Sequence, residues 1–262
     1  MKRTYSLRNN CSNTLSPMKK IILLLPALFL AATSYSQLLI SWDVSTIELD
    51  VGYLAPYSVA GANLEENVNG GDLSLGSGVN PTTSAAQYGF KISTANEQTT
   101  LAGAITQNHY IQFTALAQEG FVLNLSSLDF NGETTATGAD DIAVMTSVDG
   151  FTSGSQIASL TGRSAVGSGD FDTDASGFVS VIDLLASKYQ NLSSITFRIY
   201  GWNSSGSSGS TYIRNLGGTN ADLTINGTTA ASAVPEPSTY PLIFGAATLS
   251  YVMYRRCTKR VS

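Results

Sequence analysis

The residues best spaced for chemistry lie between positions 172 and 183. Asp172, Asp174, Ser176, Ser180 and Asp183 put side-chain oxygens at the first, third, fifth, ninth and twelfth places of a loop, with Gly177 at the sixth and Val179 at the eighth. A calcium ion takes about six to eight oxygens, and an EF-hand loop supplies them in this order. Three features depart from that pattern. Asp183 stands where a longer Glu normally gives two oxygens, no helix signal precedes Asp172, and no second copy follows. The competing reading is a polar turn over 170–177 that leads into a strand over 178–182, with Asp183 capping the next helical turn.

Other chemistry has less to stand on. His109 is the only histidine, and the two cysteines, Cys11 and Cys257, lie near the ends of the chain. Zinc held by His and Cys, or a cysteine nucleophile in the body of the chain, is thereby excluded. A Ser-His-Asp triad would have to run through His109, and no Gly-x-Ser-x-Gly elbow is present to hold its serine. Two carboxylates could suffice for glycoside hydrolysis. The doublets Glu65-Glu66 and Asp140-Asp141 do not make such a pair unaided, because adjacent residues on a strand point to opposite faces. Loop solvation accounts for both doublets, and the expectation is a protein that is not an enzyme. Tyr200 and Trp202 share a strand face with Arg198 and offer either a stacking platform for a sugar ring or a cap on the core.

The elements that would position these residues are strands. Period-two alternation recurs over 111–115, 121–125, 142–146 and 195–200, with Glu119-Gly120 and Asp149-Gly150 as turns. Residues 212–216 and 221–225 read as a hairpin around Gly217-Gly218-Thr219-Asn220. Shorter strands are expected over 38–42, 87–92 and 178–182. Helical patterning is confined to 184–192, with Asp183 as N-cap. About ten short strands with no βαβ rhythm predict an all-β fold, an antiparallel β-sandwich of jelly-roll type spanning 37–226, with its first strand near its last. The glycine-rich stretch 67–83 and the Ser/Gly stretch 203–210 read as mobile loops, and 227–234 as a linker.

Charge and hydropathy separate this body from its ends. The chain has 14 Lys+Arg and 19 Asp+Glu, but only Lys91, Arg163, Lys188, Arg198 and Arg214 of the cations lie between residues 37 and 234, against every acid except Glu236. So acidic a surface excludes nucleic acid, whose phosphates need a basic footprint. Met18-Lys19-Lys20, an apolar run over 21–32 and small residues after it form a signal peptide, with cleavage expected after Ser36 so that Gln37 leads the mature chain. The preceding 17 residues are either an extended basic region or follow a start codon placed too early. Residues 1–36 are therefore assigned to export.

At the other end, Val234-Pro235-Glu236-Pro237 leads into an apolar run over 240–254, followed by Arg255, Arg256, Lys259 and Arg260. At roughly 1.5 Å per residue this run makes a short membrane-spanning helix of about 24 Å against a hydrocarbon core of about 30 Å. The cations after it place the C-terminus in the cytoplasm and the body outside. Pro-Glu-Pro, an apolar segment and a basic cluster over 235–262 resemble the PEP-CTERM sorting signal of exported bacterial proteins. That resemblance implies handling by signal peptidase and exosortase, transient anchoring in the membrane by the C-terminal helix, and delivery to the cell surface or an extracellular polymer matrix. Its expected role is adhesion or scaffolding by a non-catalytic sandwich. The alternatives are a carbohydrate-binding module, with extracellular polysaccharide as partner and calcium as aid, and a secreted glycan hydrolase.

Overall fold

A computed structural model describes residues 37–45, 64–82, 86–162, 169–170, 181–215, 221–232, 244–245, 248–249 and 251, all within the compact unit Tyr35–Ser262. Within these residues the fold is all-β, in three antiparallel sheets, with strands numbered in chain order. A four-stranded sheet runs β1 (Gln37–Trp42), β15 (Leu223–Ala231), β7 (Phe121–Phe130) and β12 (Ile182–Asp183). A six-stranded sheet runs β10 (Ala158–Leu160), β9 (Ala139–Thr146), β13 (Ser194–Ser204), β6 (Tyr110–Ala117) and β2 (Val68–Gly70), with β3 (Ser74–Leu75) also on β6. The third sheet runs β11 (Gly169–Asp170), β8 (Gly132–Thr134), β14 (Thr211–Arg214), β5 (Gln87–Lys91) and β4 (Asn80–Pro81). One α-helix, α1 (Leu101–Gln107), is among the described elements.

Alternation along the long strands makes the core. Ile195, Phe197 and Ile199 on β13 are each fully buried, and Phe197 lies opposite Phe113 of β6 with the two rings stacked at 5.3 Å. Trp42 of β1 meets Phe113 edge-on at 5.3 Å, which joins the four-stranded to the six-stranded sheet. Each buried ring contributes about 1.5–3 kcal/mol by leaving water, and such aromatic pairs about 0.5–1.5 kcal/mol more. Every residue of β9 is buried. Its outward side chains, Ala143 and Met145, belong to a second apolar cluster on the opposite face of the sheet.

That second cluster is where α1 lies. Thr100 caps the helix by accepting from the Gly103 N–H, and Asn108 ends it in the left-handed conformation at φ 59°, which Asn tolerates well. Leu101 and Ala104, three residues apart, are its buried residues and pack with Ala143, Met145, Tyr200 and Trp202. The helix thus covers the outer face of the sheet.

Several strands follow the sequence reading, and four points differ. β1 pairs with β15, so the first described strand does lie beside the last. The expected hairpin over 212–225 is absent as a pair, because β14 bonds to β5 and β8 while β15 bonds to β1 and β7. The linker expected from 227 begins later: Gly227 to Ala231 continue β15 against β7. The helix expected over 184–192 is a single 3-10 turn, Ser187–Tyr189, and α1 forms where no helix was expected.

The two glycine-rich stretches are structured too. Residues 68–81 form three short strands, and the Gly76 N–H donates to the Tyr110 carbonyl. A Cβ at Gly76 or Gly78 would come within 1.9 Å of the Asn108 carbonyl oxygen or 1.7 Å of that of Gln107, so only glycine lets this segment close on the end of α1. The Ser/Gly stretch after β13 packs on 134–138, with Ser204 Oγ donating to the Thr137 carbonyl and the Gly206 N–H to the same oxygen.

Candidate functional site

The outer face of β13 is the most chemically loaded surface described. Arg198 holds its guanidinium between the rings of Tyr110 and Phe151, 4.2 and 4.1 Å from their centroids. Its Nε donates to Gln112 Oε1 at 2.8 Å and its Nη1 to the Tyr200 hydroxyl at 3.2 Å. Tyr110 meets Tyr200 edge-on at 5.4 Å. Burial pushes the Tyr200 phenol pKa above its usual value, opposed by the neighbouring guanidinium, so the phenol is neutral at physiological pH.

The two aromatic residues proposed as a sugar platform lie within this assembly. Tyr200 is fully buried and Trp202 is 7% exposed, with α1 packed over them. Their ring faces are therefore not open to stack on a sugar. This corrects the exposed-platform reading in favour of rings that cap the core, for a physical reason: a sheet face carrying Ala143, Met145, Tyr200 and Trp202 is too apolar to leave in water.

The second group lies beside it, where β9 begins and β13 ends. Asp140 and Asp141, expected in a solvated loop, are on β9 and only 8% and 9% exposed. Asp141 is satisfied, accepting from the Gly162 N–H at 2.8 Å and from Asn203 Nδ2 at 3.2 Å. Glu97, just before α1, accepts from the Ser204 N–H through Oε1, while its Oε2 is buried without a partner. Burial, and then the charge of Asp140, raise the Glu97 pKa above the usual carboxylate value. No spacing rule singles out Glu97. The Ser204 N–H ties it to the end of β13, a contact between segments far apart in the chain. Glu65 and Glu66 lie on a half-exposed to exposed turn, as a solvated doublet would.

The remaining candidates are placed as follows. Asp183 lies on β12, exposed, and its Oδ1 accepts from the Leu185 N–H at 2.7 Å, a local turn contact. Asp172, Asp174 and Ser176 lie outside the described residues, as do Ser36, Val234, Pro235, Glu236, Pro237, Arg255 and Arg256. Gln37 begins β1, exposed, with Nε2 donating to the Glu65 carboxylate. His109 is fully buried with both ring nitrogens unpartnered, and burial lowers its pKa below the usual value.

Around the apolar run over 240–254, Phe244, Leu249 and Tyr251 are helical and exposed. Among the described residues no helix is long and apolar enough to cross a membrane. No group of three or more His, Cys, Asp and Glu able to hold a metal occurs among them either. No protein-family model matches the chain, and neither the curated proteins nor the solved structures include a match.

Proposed function

We propose that the chain is an exported bacterial surface or extracellular-matrix protein, sorted by a PEP-CTERM-type tail, whose all-β body serves adhesion or scaffolding without catalysis. One observation carries this reading: the order Pro235-Glu236-Pro237, an apolar run over 240–254, then Arg255, Arg256, Lys259 and Arg260. Pro-Glu-Pro marks the processing region, the apolar run holds the chain in the bilayer, and the cations keep its end on the cytoplasmic side. The signal peptide over residues 1–36 supports the same route from the other end.

On this reading the facing sheets form a jelly-roll sandwich. The pairing of β1 with β15 supports this, as does the passage of the chain from the six-stranded to the four-stranded sheet through the turn at Gly120. Glycan binding through Tyr200 and Trp202 would require α1 to lift away, which puts adhesion or scaffolding ahead of it.

The test is expression in a host that carries an exosortase, with fractionation and mass spectrometry of the mature termini. Gln37 is expected at the new N-terminus, with loss of the tail near Pro235–Pro237. A variant lacking 235–262 should lose surface retention. Recovery of the intact precursor among soluble cytoplasmic proteins would overturn the proposal.

A further inference from the structure

Arg198 is a fixed cation with one end left over. The rings of Tyr110 and Phe151 lie on either side of its guanidinium, at 4.2 and 4.1 Å, while Nε and Nη1 are turned to Gln112 and Tyr200. Nη2 makes no hydrogen bond and is not among the buried unpartnered atoms, so it reaches the surface. Among the described residues the ion pairs are Lys188 with Asp149 and Arg214 with Glu133, and neither involves Arg198. In a body so rich in acids, nothing forces a half-buried guanidinium to go without one. Phe151 reaches it from a left-handed backbone, φ 53°, a conformation that a bulky side chain adopts only at a cost.

The same sheet face continues in hydroxyl and amide groups. Gln112 lies opposite Arg198, and Thr114 lies opposite Thr196 with the two hydroxyl oxygens 2.9 Å apart, all of them half-buried. Their backbones are paired on both sides, β13 between β9 and β6 and β6 between β13 and β3, so no peptide can add here as a strand. A ligand on this face is read by side chains alone. We propose that Arg198, with Gln112, Thr114 and Thr196, binds a carboxylate-bearing saccharide, the guanidinium taking the carboxylate and the row beside it the sugar hydroxyls.

Charge sets the strength of this contact. The hydrogen bond it offers is charge-assisted, and Asp149, close by in sequence to Phe151, is already neutralised by Lys188 at 2.7 Å. The acidic body opposes an anion at longer range, so one contact is weak and many copies facing one polymer gain by repetition. This deepens the adhesion and scaffolding reading and rests on it for where such a polymer is met. Binding by the purified chain succeeds or fails apart from the sorting route.

The test presents polygalacturonate to the full-length chain, purified in detergent and immobilised at high density on a biosensor. Binding is expected. Full methyl esterification of the polymer, which removes its charge and keeps its hydroxyls, should weaken binding by about tenfold or more, the worth of a hydrogen bond to a charged group. This comparison uses the wild type alone and so does not depend on how a variant folds. R198M, whose unbranched side chain still fills the gap between the rings, should show a similar loss, and T114V/T196V a smaller one. K91Q, at the end of β5 in another sheet, should bind as the wild type does. Polyglutamate, a carboxylated peptide, should bind more weakly than polygalacturonate. Absence of polygalacturonate binding overturns the proposal. So does equal binding of the esterified polymer, undiminished binding by R198M or T114V/T196V, loss of binding in K91Q, or polyglutamate bound as tightly.

Discussion

The two faces of β13 are built by different means. On the inner face, Ile195, Phe197 and Ile199 meet the opposite sheet in an all-apolar contact contributed by strands. On the outer face, Arg198, Tyr200 and Trp202 are closed over by one seven-residue helix and two flanking rings. The inner face is held by the same alternation that makes the strand, repeated on every neighbour. The outer face depends on a short element with two caps, and short helices are marginal without the surface they cover. Stability should therefore concentrate inside, and sensitivity to conditions outside.

The sharpest way to break this contrast is Phe197→Ala, which removes a ring stacked on Phe113 at the centre of the core. A loss of about 3–5 kcal/mol in denaturant unfolding is expected, enough to unfold many domains outright. Leu101→Ala, which loosens the cap, is expected to cost about 2 kcal/mol, near the low end for a buried leucine. It should also shift tryptophan emission to longer wavelength as Trp202 gains water. Equal losses in the two variants would remove the distinction between the faces.

The smallest effect sharpens the contrast through pH. His109 follows α1, donates its backbone N–H to the Ala104 carbonyl, and has a ring whose pKa burial lowers below the usual value. The unfolded chain takes up the proton first as pH falls through about 6.5, so the stability from this site is present above that pH and lost as pH falls toward the lowered folded value. His109→Leu should be near neutral at pH 7 and should flatten the acid side of the stability profile relative to the wild type. A profile unchanged by the substitution would show that the ring does not titrate on unfolding.

Much of the strand content was legible because period two survives wherever one face is buried and the other wet. That is why β13, β6 and β7 could be read from Ile195, Ile111 and Phe121 onward. β9 was read short by three residues at its start, since Ala139, Asp140 and Asp141 look like a polar turn until they pair with the end of β13 and are buried. α1 did carry a signal, with Thr100 before Leu101, Ala104 and Ile105 at helical spacing and Asn108 after them. It went unread because seven residues give only one repeat of the pattern. The placement of Glu97 had no local signal, since the Ser204 N–H that holds it belongs to a segment far along the chain.

Residue order alone settled what alternation and composition can carry: strands rather than helices, and a stretch from 37 to 234 that is acidic, has few cations, no cysteine and a single histidine. Those properties depend on neighbours one to four positions away. Tertiary structure decided which strands pair, which face α1 covers, that Tyr200 and Trp202 lie inside, and that one oxygen of Glu97 is buried without a partner. Each of these is a contact between distant segments, chosen by the burial of whole surfaces that no short window of sequence contains.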